Sequence, residues 1–228
     1  MLVAIPTKIE DSRRSGNRPV ANSVLVIANV VLFTFAQTPA WAIAPGGSVW
    51  SVITYAFYHA SPWHLIGNMY VLLLVGNAVN RRIGNACYLG TYFGTVIGMG
   101  ILGRLLGIGP LMGSSGAIFA LVAVLLMLLP AALVDFSYVA LFPLTIVTGL
   151  IHRPADAVGW FLRFGQLRLR AWWCVLLVPL LELWAFFWWR YAMGDWQWTQ
   201  PAHLLGLLCG VVCVLLMPAR ISMGRTTV

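Results

Sequence analysis

Residues 86–106 read ACYLGTYFGTVIGMGILGRLL, with a single charge, Arg104, near the far end. A helix of that length spans about 30 Å at 1.5 Å per residue, the thickness of a bilayer's hydrocarbon core. Similar apolar runs occur on either side of it, at roughly 20–41, 63–79, 115–130, 172–190 and 202–218. Over all 228 residues 61% are hydrophobic and 9% charged, against about 25% charged in a soluble domain. The chain cannot be dressed in a soluble surface. Strands of a membrane barrel would be short and alternating, whereas these runs are continuous. The expected fold is an all-α, polytopic bundle of six transmembrane helices.

The net charge of +8 does not describe a nucleic-acid binder, because the basic residues fall in clusters between the apolar runs. These are Lys8, Arg13, Arg14 and Arg18; Arg81 and Arg82; Arg153, Arg163, Arg168 and Arg170; Arg220 and Arg225. With six spans, both termini, the turn at 80–85 and the connection at 131–171 share one side. That side holds twelve of the fourteen Lys and Arg residues and leaves Arg104 and Arg190 opposite. By the positive-inside rule it is the cytoplasmic side. The chain then divides into a cytoplasmic basic tail (1–18), a six-helix membrane domain (19–219) and a short cytoplasmic tail (220–228). Within the domain, 131–171 is a long cytoplasmic or interfacial connection. Its residues 136–151 are apolar enough for a seventh crossing, but Pro143 interrupts them and a seventh crossing would put Arg220 and Arg225 outside. Residues 155–172 mix arginines with Trp160, Phe161, Phe164 and leucines, the composition of an amphipathic helix in the headgroup plane. Ala40-Trp41-Ala42 after the first apolar run resembles a signal cleavage site, but the run is long for a signal and further spans follow. With no organelle-targeting extension recognisable, a bacterial plasma membrane is the expected compartment.

Cys87, Cys174, Cys209 and Cys213 lie in or beside apolar segments without zinc-site spacing. Cys209 and Cys213 share a helix face, which suits packing. The chemistry lies elsewhere. Polar groups are expensive in a membrane bundle, and here they gather at the openings of three spans. HASPWHLIGN (59–68) supplies His59, His64 and Asn68; MGSSGAIFAL (112–121) places Ser115 between Gly113 and Gly116; PAHLLGLLCG (201–210) supplies His203, followed by Gly206 and Gly210. A serine in the first turn of a helix has unpartnered backbone N–H groups beside it, at the positive end of the dipole. Those donors suit a developing oxyanion. Serine needs a base to act as nucleophile, and two crossings separate Ser115 from His203, which returns the imidazole to the same side. That count rejects a seventh span independently of the arginines. His64 and Asn68 share a helix face at i, i+4 and both carry side-chain donors. With no Asp or Glu beside these motifs in the sequence, a Ser–His dyad is expected instead of a triad. Each motif alone has a packing explanation, because glycine, serine and histidine also serve helix contacts in lipid.

Taken together, the three motifs resemble those of the rhomboid intramembrane proteases, over about residues 50–218. HASPWHLIGN resembles the family's histidine–asparagine segment, GSSGAIFAL its GxSG nucleophile turn and AHLLGLLCG its AHxxGxxxG base motif. The resemblance implies Ser115 as nucleophile and His203 as general base, with His64, Asn68 and the Ser115 amide, beside Gly113, as the oxyanion site. His59 would support the packing around that site, and Gly206 would let the sixth helix pack closely against the fourth, with Gly116 a further supporting residue. The implied reaction is hydrolysis of a peptide bond in or beside a transmembrane segment of a membrane-protein substrate. Its partners are then that substrate and the lipid bilayer, with no nucleic acid, no metal and no cofactor.

The chain departs from the family pattern in two places. GNAVNRRIG (76–84) carries Asn80 where the family usually shows a glutamate. The loop at 37–62 contains Trp41 and Trp50 but no arginine, where a Trp-Arg pair is common. Glu182 is the one acid inside an apolar run, which implies a bond to a neighbouring helix, a retained proton, or a place beside water access to the site. Two other activities are compatible with parts of the pattern: a non-catalytic rhomboid-like protein that binds transmembrane helices, and a small transporter using the histidines as a proton relay.

Overall fold

Helices form where the apolar runs lie. In the computed structural model, which describes residues 2–10, 17–44, 46–141, 145, 161–192 and 199–218, they are α1 (Val20–Phe35), the short α2 (Ser51–Thr54), α3 (Pro62–Val71), α4 (Asn77–Leu105), α5 (Ser115–Leu128), α6 (Cys174–Phe187) and α7 (Thr199–Leu216). A π-helical turn, Leu72–Gly76, joins α3 to α4, and a second, Trp188–Ala192, extends α6. Pro62–Leu105 and Thr199–Leu216 are long and apolar enough to cross a membrane, and Val20–Phe35, Ser115–Leu128 and Ala171–Phe187 are shorter apolar helices. Leu208, Val212 and Leu215 on α7 and Leu180, Leu181 and Trp184 on α6 point outward uncovered. Apolar stripes that no other part of the described chain covers are surfaces made for lipid.

The continuous helical segment from Pro62 to Leu105 is two arms. Gly84 stands at φ +79°, ψ 166°, inside α4, a conformation open to glycine alone at little cost. Gly76 lies against the Tyr88 hydroxyl, although a straight helix would separate these residues by roughly 18 Å. The chain therefore folds back at Gly84. The turn is secured by a buried polar knot around Asn22 of α1. The Asn22 amide donates to the Leu72 carbonyl (2.9 Å) and to Asn77 Oδ1 (2.8 Å), its Oδ1 accepts from the Tyr88 hydroxyl (2.6 Å), and its backbone N–H donates to Asn80 Oδ1 (3.0 Å). Asn80 in turn donates to Asn85 Oδ1 (2.9 Å), across Gly84. Asn80 thus bridges α1 and both arms, and an amide meets the need because its partners include both an acceptor and a donor.

Two contacts bring the ends of the helices together. A β-carbon at Gly206 would lie 2.2 Å from the Gly116 carbonyl oxygen, and one at Gly210 would lie 2.2 Å from that of Ala120. Helices α5 and α7 thus touch backbone to backbone, which only small residues permit. The loop between α1 and α3 is tied to the α4–α5 connection, where Ile43 and Leu111 exchange backbone hydrogen bonds at 3.0 and 3.1 Å, and to α4 itself, where the Tyr55 hydroxyl donates to the Val96 carbonyl (3.0 Å). Arg104 donates to the carbonyls of Gly47 and Ser48, both at 2.7 Å. The loop without an arginine of its own is held by one from α4.

The described chain is not all-α. Three strands, β1 (Leu2–Glu10), β2 (Leu133–Leu141) and β3 (Leu162–Arg170), form an antiparallel sheet in the order β1-β2-β3, with a register shift between Pro6 and Lys8. The segment expected to be a basic tail supplies β1, and the expected amphipathic helix at 155–172 is corrected to a strand over 162–170. The reason is the period: Leu167-Arg168-Leu169-Arg170 alternates every second residue, the repeat of a strand and not of a helix. Val134 is buried at the base of the sheet, Ile9 and Phe136 pack on the core, and the Tyr70 hydroxyl of α3 donates to the Pro6 carbonyl. Lys8, Asp135 and Arg168 stand opposite one another across the strands. Arg168 forks onto the Asp135 carboxylate and holds it below the usual carboxylate range. Most of 136–151 beyond β2 lies outside the described residues, and with it the test of a seventh span.

Candidate active site

The polar residues of the three motifs meet in one cavity of about 400 Å³, lined by His64, Asn68, Gly113, Ser115, Gly116 and His203 among others. Each arrives by a local device. Ser61 caps α3 by accepting the His64 N–H (3.2 Å), with Pro62 at the first helical position, where its missing N–H costs nothing. That places His64 in the first turn and Asn68 one turn on. Ser115 opens α5 two residues after Gly113, whose φ of +88° turns the chain toward the helix. The Gly113 N–H is spent on the Tyr55 carbonyl (2.8 Å), so this residue contributes shape to the site and not a donor. A β-carbon there would come within 2.8 Å of His64 Cε1 and 3.3 Å of the Asn68 amide nitrogen. The bare backbone is what lets His64 and Asn68 close on the serine turn.

The donors are oriented. The Ala60 N–H donates to His64 Nδ1 (3.4 Å), so in the neutral ring the proton sits on Nε2, the nitrogen facing Gly113. The Asn68 Nδ2 is buried and has no hydrogen-bond partner among the described residues. A buried amide donor left open costs about 1–3 kcal/mol unless something transient occupies it. Behind them His59 is fully buried, its ring edge-on to His64 at 5.0 Å between centroids, and its backbone N–H donates to Gln37 Oε1 (3.1 Å). His59 lies outside the cavity and supports His64. Gly206 also lies outside it, and acts through the Gly116 contact.

Two neighbours of His203 were not legible in the motifs. Phe119, one turn after Ser115, stacks on the imidazole at 4.1 Å and 9°. Glu182 of α6 places Oε2 3.0 Å from His203 Nδ1. The expectation of an imidazole without an acidic partner is therefore corrected. Glu182 is remote in sequence, and the signal that pointed to it was its cost: a carboxylate in an apolar helix must bond to something.

Comparison with curated proteins gives no match. A family description does match: the Rhomboid domain aligns with residues 46–155. The match takes in His59, His64, Asn68, Gly113 and Ser115 and ends before Glu182 and His203. Residues 46–155 of this chain are thus a Rhomboid domain, the mark of a family whose members are embedded in membranes.

Proposed function

We propose that the chain is an intramembrane serine endopeptidase that cleaves membrane-protein substrates in or next to their transmembrane segments. The observation that carries this reading is the convergence of Ser115, His203, His64 and Asn68, from three separate helices, on one cavity. In the reaction the Ser115 hydroxyl oxygen attacks the scissile carbonyl while its proton passes to His203 Nε2. The carbonyl oxygen becomes an oxyanion facing the Ser115 N–H, the His64 Nε2–H and the open Asn68 amide. As the C–N bond breaks, the imidazolium gives its proton to the leaving amine. Water then repeats the sequence on the acyl-enzyme, with His203 again taking the proton. The Ser–His pair suffices for this sequence without metal or cofactor.

The reading includes a topology. Six crossings, with α3 and the two arms of α4 making two of them, put both termini on the cytoplasmic side and the cavity near the outer face of a plasma membrane. Hydrolysis needs water, and a cavity near that face supplies it.

The test is co-expression of the full chain with a transmembrane substrate, beside S115A and H203A, and labelling with a serine-reactive fluorophosphonate. Cleavage and labelling in the wild type, both lost in S115A, are expected, and H203A should lose cleavage. Labelling that persists in S115A, or a wild type as inert as S115A, would sink the protease and favour a helix-binding role.

A further inference from the structure

We propose that Glu182 positions His203 for catalysis, so that the acid, base and nucleophile come from α6, α7 and α5. The proposal rests on the protease reading and deepens it. A base must present a lone pair to the serine, and a neutral imidazole has one only on the nitrogen that lacks hydrogen. Nothing in a Ser–His pair alone decides which nitrogen that is. Here the carboxylate oxygen 3.0 Å from Nδ1 decides it, because a carboxylate only accepts. Nδ1 carries the proton, and Nε2 keeps its lone pair for Ser115.

Three further observations fit this role. The Glu182 and His203 side chains are only 17% and 15% exposed, so bulk water does not compete for the bond. Phe119 lies flat against one face of the ring. Stacking fixes the plane while Glu182 fixes rotation within it, and together they leave one orientation. Finally, Glu182 sits in the apolar helix α6 between Leu181 and Leu183, where a carboxylate without a task would be costly. Among the described residues, the cavity that holds His203 is also lined by the titratable side chains of His64, on the oxyanion side, and Tyr55.

The proton balance needs no transfer to Glu182. Ser115 loses a proton to Nε2, the oxyanion gains the negative charge, and the imidazolium formed stands beside the carboxylate that stabilises it. Glu182 keeps its state throughout, and the leaving amine takes the proton from Nε2.

The experiment compares wild type, E182Q, E182D and S115A of the full chain in proteoliposomes, cleaving one transmembrane substrate. E182Q is expected to lower kcat by up to about 10⁴-fold with KM little changed, the loss seen when the orienting acid of a serine protease is removed. E182D, with the same charge on a shorter stem, should recover part of the loss, which a packing role would not require. Nitrogen-15 NMR of His203 should find the proton on Nδ1 in the wild type and a mixture of tautomers in E182Q. A wild-type kcat in E182Q, or a proton resting on Nε2 in the wild type, would overturn the assignment of Glu182 while leaving the protease intact. A wild type as inactive as S115A would overturn the protease and this role with it.

Discussion

Asn68 and Asn22 show how differently one residue type can be used. Asn22 spends every polar atom: its amide, its carbonyl oxygen and its backbone N–H are all bonded within the knot that closes the Gly84 turn. Asn22→Leu would take from the Tyr88 hydroxyl and from Asn77 Oδ1 the partners they have inside the protein. The expected loss is about 2 kcal/mol, read as a lowered midpoint of unfolding in detergent. Asn68 instead keeps a buried donor open beside the serine turn. Asn68→Ala should leave the unfolding midpoint within about 0.5 kcal/mol of the wild type, or raise it, because an unpaired buried group is removed. Its cost should fall on kcat, by about 10²-fold, as when one oxyanion donor is lost. A substitution that lowered stability and spared kcat would assign Asn68 to packing. The same logic applies to S115A, which should be as stable as the wild type or more so.

At the level of elements, the close contact between α5 and α7 is what seats Ser115 and His203 in one cavity. A methyl group at Gly206 has nowhere to go, since its carbon would stand 2.2 Å from the Gly116 carbonyl oxygen. Gly206→Ala should push α7 away and reduce cleavage at least about 10-fold, because a displacement of about 1 Å costs up to about 10²-fold. A fully active Gly206→Ala would mean that the helices separate without moving His203. The sheet makes a separate prediction. Asp135 is held below the usual carboxylate range by its hydrogen bonds to Arg168, so its contribution is present above the ordinary Asp value and lost as pH falls through the depressed one. Amide protection in β2 and β3 should therefore weaken only below about pH 4. Asp135→Asn should remove that dependence, and the effect should be small and salt-sensitive because the pair is exposed.

On the scale of the whole molecule, the polar groups collect at two levels. The cavity lies where α3, α5 and α7 begin, and the asparagine knot lies at the Gly84 turn near the start of α1. Arg104 binds loop carbonyls on the cavity side, while Arg81 and Arg82 flank the turn on the other. In the proposed topology a water-soluble thiol reagent applied to intact cells should label a cysteine placed at Ser48, in the loop that Arg104 holds. The same reagent should label one placed at Arg82 only after the membrane is opened. The opposite pattern would invert the orientation inferred from the arginines.

Helix positions, the folding back near Gly84 and the residues of the cavity follow from sequence order alone, because each depends on local composition or on which motif opens which span. The expected spans at 63–79, 86–106, 115–130 and 202–218 fall on the observed helices within a few residues. The contact between Glu182 and His203, the stacking of Phe119 and the pairing of β1 with β2 depend instead on segments 21 to about 130 residues apart. Only packing decides such pairings: an acid in an apolar run declares that it needs a partner, while the fold chooses which helix provides it. The sheet is the sharper lesson, since a strand's partner lies outside its own sequence and its hydrogen bonds exist only once the chain has folded.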